Sequence, residues 1–300
     1  MKKKTYLIAL MAMALTLGSC SDNENGIGGE TSKYITVSTS IGNMTRVATD
    51  ANGGQTFEEG DEISVYAWTG DATVAPETRE RVVNNAINKL TNGSWVSTPQ
   101  MLWKNNRDKH YFIGVYPTAA ISDLSAGEYT LDVNKQTESD LLVAVNKDGI
   151  SYNADEQQTV PLTFTHVMAK LAVNLTYKNQ WGGIPTVEKV VVGNAAKEAT
   201  INYLTKVVTP STTAKEDFSL PEITENTKYV SVIIPQEDVK QLTIVIGGKN
   251  FVYDNGTPFK LESGKITTVN LEVGRDEIKL GDVKITNWED GSTFSGEALN

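Results

Sequence analysis

The stretch MAKLAVNLTY, residues 168–177, decides the class of fold. In it Leu171, Val173 and Leu175 recur at every second position, and polar residues such as Asn174 stand between them. Side chains of a β-strand point alternately to its two faces, so this pattern places the apolar residues together on one face. The stretch is therefore predicted to be a strand that buries one face.

The same alternation recurs in many short runs outward from this stretch. They are rich in β-branched and aromatic residues and are bounded by Gly, Asn, Asp and Pro, which is typical of strands. A spacing of roughly 8–12 residues between strands indicates an all-β fold of the sandwich or barrel type. The runs are KYITVSTSI (33–41), DEISVYAW (61–68), HYFIGVYP (110–117), LLVAV (141–145), TVPLTFTH (159–166), VEKVVVG (187–193), KYVSVIIP (228–235), QLTIVIGG (241–248), KNFVYDNG (249–256), KITTVNLEV (265–273) and DVKITNW (282–288).

One segment is ambiguous by pattern. In RERVVNNAINKL, residues 79–90, the apolar residues Val83, Ala86, Ile87 and Leu90 have the spacing of an amphipathic helix. The composition also permits a strand, so both readings stay open at this point.

The chain begins with an export signal. Three lysines at positions 2–4 precede an apolar segment, 6–17, which is too short to span a bilayer but suits a secretory signal peptide. The motif LGSC that ends at Cys20, the single cysteine of the chain, resembles the bacterial lipoprotein signal, in which the cysteine is acylated and becomes the mature N-terminus. Residues 1–19 are therefore predicted to be a lipoprotein signal peptide.

A polar, glycine-rich segment follows the cysteine. Residues 20–32 are predicted to be a flexible, lipidated tether. Acidic residues directly after such a cysteine resemble the signal that sends lipoproteins of Bacteroidota to the outer face of the outer membrane. Acyl chains provide membrane affinity without a spanning segment. The expected location is the cell outer membrane, with the protein exposed at the surface.

Charge and residue inventory limit the function. The formal net charge is −10 and becomes more negative when the three N-terminal lysines are removed, which argues against nucleic acid as a partner. The two histidines, His110 and His166, stand in no metal-binding or catalytic motif. Adjacent acidic residues such as those at 58–59 and 61–62 are best read as solvated charge. We predict neither an enzyme nor a cofactor.

Tryptophans are the residues that offer a binding surface. Trp95, Trp103, Trp181 and Trp288 are each either buried core or a platform on which a sugar ring stacks. Trp181, in NQWGGIP, is the one named as a candidate ligand-binding residue.

A division of the chain into two domains is predicted from its polar stretches. Residues 146–158 read as a linker or long loop. This gives two all-β domains, 33–160 and 161–300.

Several motifs together resemble the fimbrillin family, the subunits and accessory proteins of type V pili of Bacteroidota. The resemblance runs from about residue 45 to residue 291 and is carried by the order of the motifs. They are FEEGDEISVYAW (57–68), WKNNRDKHYFIGVYP (103–117), SDLLVA (139–144), LTFTHVMAKLAVNL (162–175), VIIPQ (232–236) and ITNWEDG (285–291).

The resemblance implies two transthyretin-like β-sandwich domains in tandem, and it favours a strand for residues 79–90. It also implies export as a lipoprotein, cleavage by an arginine-specific protease and removal of the first strand. A strand from a neighbouring pilus subunit would then fill the vacant groove by β-augmentation, and head-to-tail repetition would build an adhesive filament.

The candidate cleavage point is the bond between Arg46 and Val47. Arg46 stands between the strand 33–41 and a loop rich in Gly and Asn. A cut there would release the lipid-bearing Cys20 and the strand in one piece. The alternative is that Arg46 is an ordinary surface arginine.

The C-terminal segment and the position in a pilus stay open. Residues 289–300 carry few apolar residues for a donor strand, so either the donor includes VKITNW (283–288) or the protein is a tip or accessory subunit. Two further alternatives are an uncleaved pilus anchor and a non-polymerising surface lipoprotein. The latter would bind a host or microbial glycan or matrix protein.

Overall fold

The structure is a computed structural model that describes residues 33–42, 56–156 and 158–288. Within these ranges the chain forms nineteen β-strands and two short 3-10 helices, Thr78–Glu80 and Asn179–Trp181, which confirms the all-β prediction. The strands are β1 (Thr36–Ile41), β2 (Glu62–Thr69), β3 (Arg81–Thr91), β4 (Ser94–Thr98), β5 (Lys109–Tyr116), β6 (Gly127–Thr130), β7 (Leu142–Ser151), β8 (Thr159–His166), β9 (Ala169–Tyr177), β10 (Val187–Ala196), β11 (Glu198–Asn202), β12 (Val207–Pro210), β13 (Lys215–Ser219), β14 (Glu222–Thr224), β15 (Lys228–Ile233), β16 (Gln241–Ile246), β17 (Lys249–Asp254), β18 (Lys265–Val273) and β19 (Ile278–Asn287).

The first sheet has seven strands in the order β1-β8-β7-β5-β2-β3-β4. Neighbours are antiparallel except β1 and β8, which run parallel. The sheet curls until its two edge strands approach each other. At this approach the Trp95 indole of β4 donates a hydrogen bond to the Thr39 hydroxyl of β1 at 3.0 Å. The concave face encloses a cluster that we call the inner core. Its members include Ile35, Val37, Ile63, Val65, Val83, Phe112, Val160, Leu162 and Phe164.

Strand β2 shows how the alternating pattern is used in this sheet. Ile63 and Val65 point into the inner core, whereas Tyr66 and Trp68 point to the opposite face. Both faces of β2 are buried, since the convex face of the sheet packs against the second half of the chain. The predicted assignment of these side chains to two faces is confirmed.

The ambiguous segment 79–90 forms strand β3, preceded by a single 3-10 turn. Its register with β2 pairs Val65 with Ala86 and Ala67 with Val83, so β3 has one residue more than β2 between these pairs. Asn85, with φ of 57°, lies in this bulge. The extra residue turns the period of two into a step of three from Val83 to Ala86. The helix-like step from Val83 to Ala86 is thus caused by the bulge.

The second half of the chain packs a five-stranded sheet, β14-β15-β9-β18-β19, and a four-stranded sheet, β13-β10-β16-β17, around a common core. The stretch 168–177 supplies the central strand β9, which pairs antiparallel with β15 and parallel with β18. Leu171, Val173 and Leu175 are buried as its pattern predicts.

The two halves of the chain are joined by a common sheet and a common core, so the expected arrangement as two sandwiches in tandem is not confirmed. A third sheet, β12-β11-β6, joins β6 of the first half to β11 of the second. The core of the second half also continues to Tyr66, Trp68 and Ile113 of the first sheet.

The predicted division after residue 160 needs correction in position. It falls inside β8, which pairs with β1 and β7 in the first sheet, and the chain reaches the second half only at Ala169. The predicted linker, 146–158, also begins too early, because β7 continues to Ser151 and pairs there with β5. The residues at the end of β7 are polar and partly exposed, and this local polarity led to their prediction as a linker. Among the residues that the structure describes, no helix is long and apolar enough to cross a membrane.

We predict that Gly114→Ala destabilises the protein. Gly114 of β5 lies under the Phe164 ring, where an added Cβ would approach Phe164 Cζ to 2.6 Å and Leu162 Cδ1 to 3.2 Å. Overpacking of this kind costs about 1–3 kcal/mol of unfolding free energy. Urea denaturation of the mature chain measures it.

The matched control is Gly193→Ala in β10. The nearest atom to its added Cβ is the Oε1 atom of the Gln241 side chain at 3.1 Å, which can move aside. Equal stability of the two variants would contradict the packing that we describe between Phe164 and β5.

Candidate functional site

Strand β1 is the element around which the candidate site is built. It lies at the edge of the first sheet and pairs with β8 through six register positions, from Thr36–Thr159 to Ile41–Phe164. The ladder continues to Gly42, whose N–H donates to the Phe164 carbonyl at 2.8 Å. Residues 43–55, which follow, lie outside the described ranges.

The inward side chains of β1 close the inner core. Ile35 and Val37 are buried, and Thr39 and Ile41 are half-buried. They cover the apolar face of β8, formed by Val160, Leu162 and Phe164. Full burial of one Ile or Val side chain contributes about 1.5–3 kcal/mol, so β1 adds substantially to the stability of this half.

The outward side chains of β1 are small and polar. The Thr36 hydroxyl lies 3.2 Å from that of Thr159, and the Ser40 hydroxyl donates to that of Thr163 at 3.2 Å. Both pairs are exposed. The strand thus has one apolar face that seals the core and one hydroxyl face in solvent.

Residues 101–103 pair with the chain at the N-terminal end of β1, on the side opposite β8. The N–H of Ile35 donates to the Met101 carbonyl at 2.9 Å, and the N–H of Trp103 donates to the Lys33 carbonyl at 3.2 Å. We call β8, residues 101–103 and Trp95, which contacts Thr39, together the β1 seat. The antiparallel pairing of residues 33–35 with 101–103 completes the second wall of this seat.

Buried His110 braces the second wall. Its Nε2 accepts the N–H of Lys104 at 3.0 Å, so its Nδ1 carries the proton and donates to the Asp108 carbonyl at 3.1 Å. The Trp103 ring meets the imidazole edge-on with centroids 5.0 Å apart. Burial lowers the pKa of His110 below its ordinary value, against the opposing effect of Asp108, and this favours the neutral ring that the geometry requires.

An aromatic cleft flanks the rest of β1. It has a volume of about 590 Å³ and lies between β1 and the start of β4. Phe57 meets Trp95, Tyr116 and Phe164 edge-on, with ring centroids 5.1 to 5.3 Å apart. Burial, helped by nearby Asp61, raises the pKa of Tyr116 to about 12, so its hydroxyl stays protonated and donates to the Asp61 carboxylate.

Of the residues named from the sequence, Cys20, Arg46 and Val47 lie outside the described ranges. Trp181 is described and is half-buried. Its Nε1 donates to the Val273 carbonyl at 2.9 Å, Phe251 packs against its ring, and the Arg275 guanidinium lies 5.9 Å from the ring centroid. These contacts favour packing as the role of Trp181 and give no support to its use as a glycan platform.

The other side chains singled out by chemistry have structural surroundings. His166 contacts Asp140 through Nδ1 at 2.7 Å and stacks on Trp288 with ring centroids 4.1 Å apart. In the part of the chain that the structure describes, no group of His, Cys, Asp or Glu side chains could hold a metal ion.

Sequence reasoning missed two parts of the seat, the second wall at 101–103 and the contact of Trp95 with Thr39. Both depend on the curl of the sheet, which brings residues about sixty positions apart together.

With this geometry in place, comparison with known proteins is informative. A model of the fimbrillin-like family matches residues 45–288, most of the chain. The chain belongs to the fimbrillin-like family. Its described relatives are fimbrial subunits and cell-adhesion-like proteins, a structural type of protein.

Relatives of this fimbrillin-like protein agree in length and fold. It is 24% identical to the candidate fimbrium subunit Fim1C of Bacteroides uniformis, over 97% of each chain. The fold is similar to that of a candidate cell adhesion protein from Bacteroides ovatus, with a TM-score of 0.62 and 18% identity, covering 85% of this chain and 98% of the other. A fimbrial protein from Bacteroides vulgatus has a TM-score of 0.52 and 13% identity, covering 84% of this chain and 99% of the other.

We predict that His110 makes this fimbrillin-like protein less stable in mild acid. Its folded pKa lies below that of the unfolded chain, about 6.5. Both states are neutral above that pH, and the unfolded state takes up the proton first as the pH falls. The stability due to neutral His110 is therefore present above about pH 6.5 and is lost as the pH falls towards the folded pKa.

The test compares urea unfolding of the wild type and His110→Gln at pH 7.5 and pH 5.0. Gln keeps an acceptor near the position of Nε2 but does not titrate, so the variant should lose less stability between the two pH values. Equal losses would contradict the role of His110.

Proposed function

We propose that this protein is a pilus subunit that carries β1 as a replaceable strand. It is exported as a lipoprotein on Cys20 and cut after Arg46, and β1 leaves with the lipid-bearing N-terminal piece. A strand from a neighbouring subunit then takes the β1 seat, and the resulting filament serves adhesion at the cell surface. The observation that carries the proposal is that β1, next to the candidate cleavage site in sequence, is an edge strand that seals the core.

The position of β1 makes its replacement physically reasonable. As an edge strand it can leave without breaking any ladder between the other strands. Its departure would unpair the N–H and C=O groups along β8 and uncover Val160, Leu162 and Phe164. Such an edge strongly favours an incoming strand, which pairs the backbone groups and covers the apolar face.

A contact of this kind would join unlike surfaces of successive subunits. Heterologous contacts that do not close into a ring produce filaments. The lipid explains how the precursor stays at the membrane before cleavage, and cleavage explains how the subunit is released to the filament.

The candidate donor segment, residues 283–288, belongs almost entirely to strand β19. Residues 283–288 are not free, because β19 pairs with β18 along its whole length. The strand is followed by buried Trp288, whose ring stacks on His166 and has its centroid 4.1 Å from the Lys170 ammonium group. Because this candidate donor is already paired within its own chain, we favour a tip or accessory position within the pilus.

We predict that Arg46→Ala blocks assembly. In the producing bacterium, the wild-type protein in sheared filaments should begin at Val47 without lipid. The variant should keep acylated Cys20, stay in the membrane fraction and be absent from filaments. Mass spectrometry of the mature N-terminus in each fraction measures this.

The matched control is Arg107→Ala, because Arg107 is exposed in a polar loop, NNRDK, and lies far from the N-terminal strand in sequence. It should be processed and assembled like the wild type. If the wild-type protein in filaments still carried Cys20, or if Arg46→Ala entered filaments normally, the proposal would fail. The protein would then be an uncleaved anchor or a surface lipoprotein that does not polymerise.

A further inference from the structure

We propose that the β1 seat selects its incoming strand by a residue pattern, read in part by the indole N–H of Trp95, and that residues 278–300 of a second copy do not supply this strand. In the direction of β1 the pattern is apolar-x-apolar-x-hydroxyl-x-apolar, where x is any residue that tolerates solvent. The inference rests on the function proposed above and specifies the partner of that same site.

The apolar positions follow from what β1 places in the seat. Ile35 and Val37 are 2% and 6% exposed and lie within the inner core. Ile41 is half-buried, packs against the same core and is in register with Phe164. A polar side chain at either of the first two positions would be buried without a partner, so an incoming strand needs apolar residues there.

The hydroxyl position is set by Trp95. Thr39 is the second inward residue of β1, opposite Leu162, and its hydroxyl oxygen accepts the indole N–H at 3.0 Å. The edge-on contact with Phe57, 5.3 Å between ring centroids, supports the indole from the side. A valine at this position has the same shape as threonine but leaves the half-buried N–H without its acceptor.

The outward positions carry little information. Thr36, Ser38 and Ser40 point away from the core, and the hydroxyl bonds that Thr36 and Ser40 make to Thr159 and Thr163 are exposed. Exposed pairs of this kind discriminate weakly between residues, so selection depends on the four inward positions.

The C-terminal part of this chain does not supply the pattern. From Ile278 to the last residue, 300, no frame places apolar residues and a Ser or Thr at the required spacing, in either chain direction. The best partial match, Val283 and Ile285, continues with Asn287 and Glu289, where a hydroxyl and an apolar residue are needed. Residues 278–300 of a second copy therefore fit the seat poorly.

The test uses residues 21–300 with residues 43–46 replaced by the site of a sequence-specific protease. After the cut, fluorescent KYITVSTSI (residues 33–41) exchanges into the seat, and unlabelled peptides compete with it in an anisotropy assay. A peptide with Thr39→Val should bind about three- to tenfold more weakly than the native peptide, the range expected for loss of one hydrogen bond. A peptide with Ser38→Ala should bind like the native one.

A second protein, Trp95→Phe, separates the reading of the hydroxyl from general packing. It keeps an aromatic ring but lacks the N–H, so the native and Thr39→Val peptides should bind it equally. If this variant does not fold, the peptide series on wild-type Trp95 still decides. A peptide of residues 280–288 should fail to compete at all.

The outcomes distinguish this inference from the proposed function. Exchange of the native peptide with no loss for Thr39→Val would overturn the selection by Trp95 while leaving strand replacement intact. Competition by residues 280–288 at native strength would overturn the exclusion of the C-terminal segment as the incoming strand. If no peptide exchanged, the native one included, replacement of β1 itself would be wrong and the inference would fall with it.

Discussion

The constraint on which this structure depends is the need of β8 for a neighbour on its outer edge. One face of β8 consists of Val160, Leu162 and Phe164, which line the inner core, and its edge offers a row of backbone donors and acceptors. Neither requirement specifies which chain provides the neighbouring strand. In the structure β1 of the same chain provides it, and the first sheet closes only because β1 is present.

The residues around β8 hold its apolar face and the second wall of the seat in position. Gly114 has no side chain, so the Phe164 ring can lie directly on β5. Phe57 packs against the same ring from the other side, and His110 holds the second wall in position through the N–H of Lys104. The seat is thus a preformed site whose own residues are fixed by packing, and only its occupant is an edge strand. Under the proposed function, this is why one strand can replace another without refolding the rest of the sheet.

Much of the fold could be predicted because it depends on local alternation. The faces of β2 and β9 follow directly from their period of two. The two cores that the side chains of β2 enter confirm its faces, and burial confirms the apolar face of β9. Features that depend on pairing could not be predicted. The bulge at Asn85 gave β3 a helical spacing, and β8 was divided because nothing local shows that it pairs with β1 and β7.

The site divides in the same way. The candidate lipidation residue Cys20 was named from a local motif, and the candidate cleavage residue Arg46 from its position in the family resemblance. Both lie outside the described residues. The β1 seat is assembled from segments distant in sequence, among them β8, residues 101–103 and Trp95. Trp181 illustrates the opposite case, since a motif suggested exposure and the fold supplies packing partners.

The most direct measurement of the central claim is to lock β1 in its seat. The hydroxyl oxygens of Ser40 and Thr163 are 3.2 Å apart on the exposed face, so cysteines at both positions are placed to form a disulfide between β1 and β8. In the producing bacterium, the oxidised Ser40→Cys/Thr163→Cys protein should stay in the membrane fraction even after the chain is cut at Arg46. Reduction should restore its entry into filaments. Equal entry of the oxidised and reduced forms would contradict the account, because the subunit would then assemble with β1 still in place.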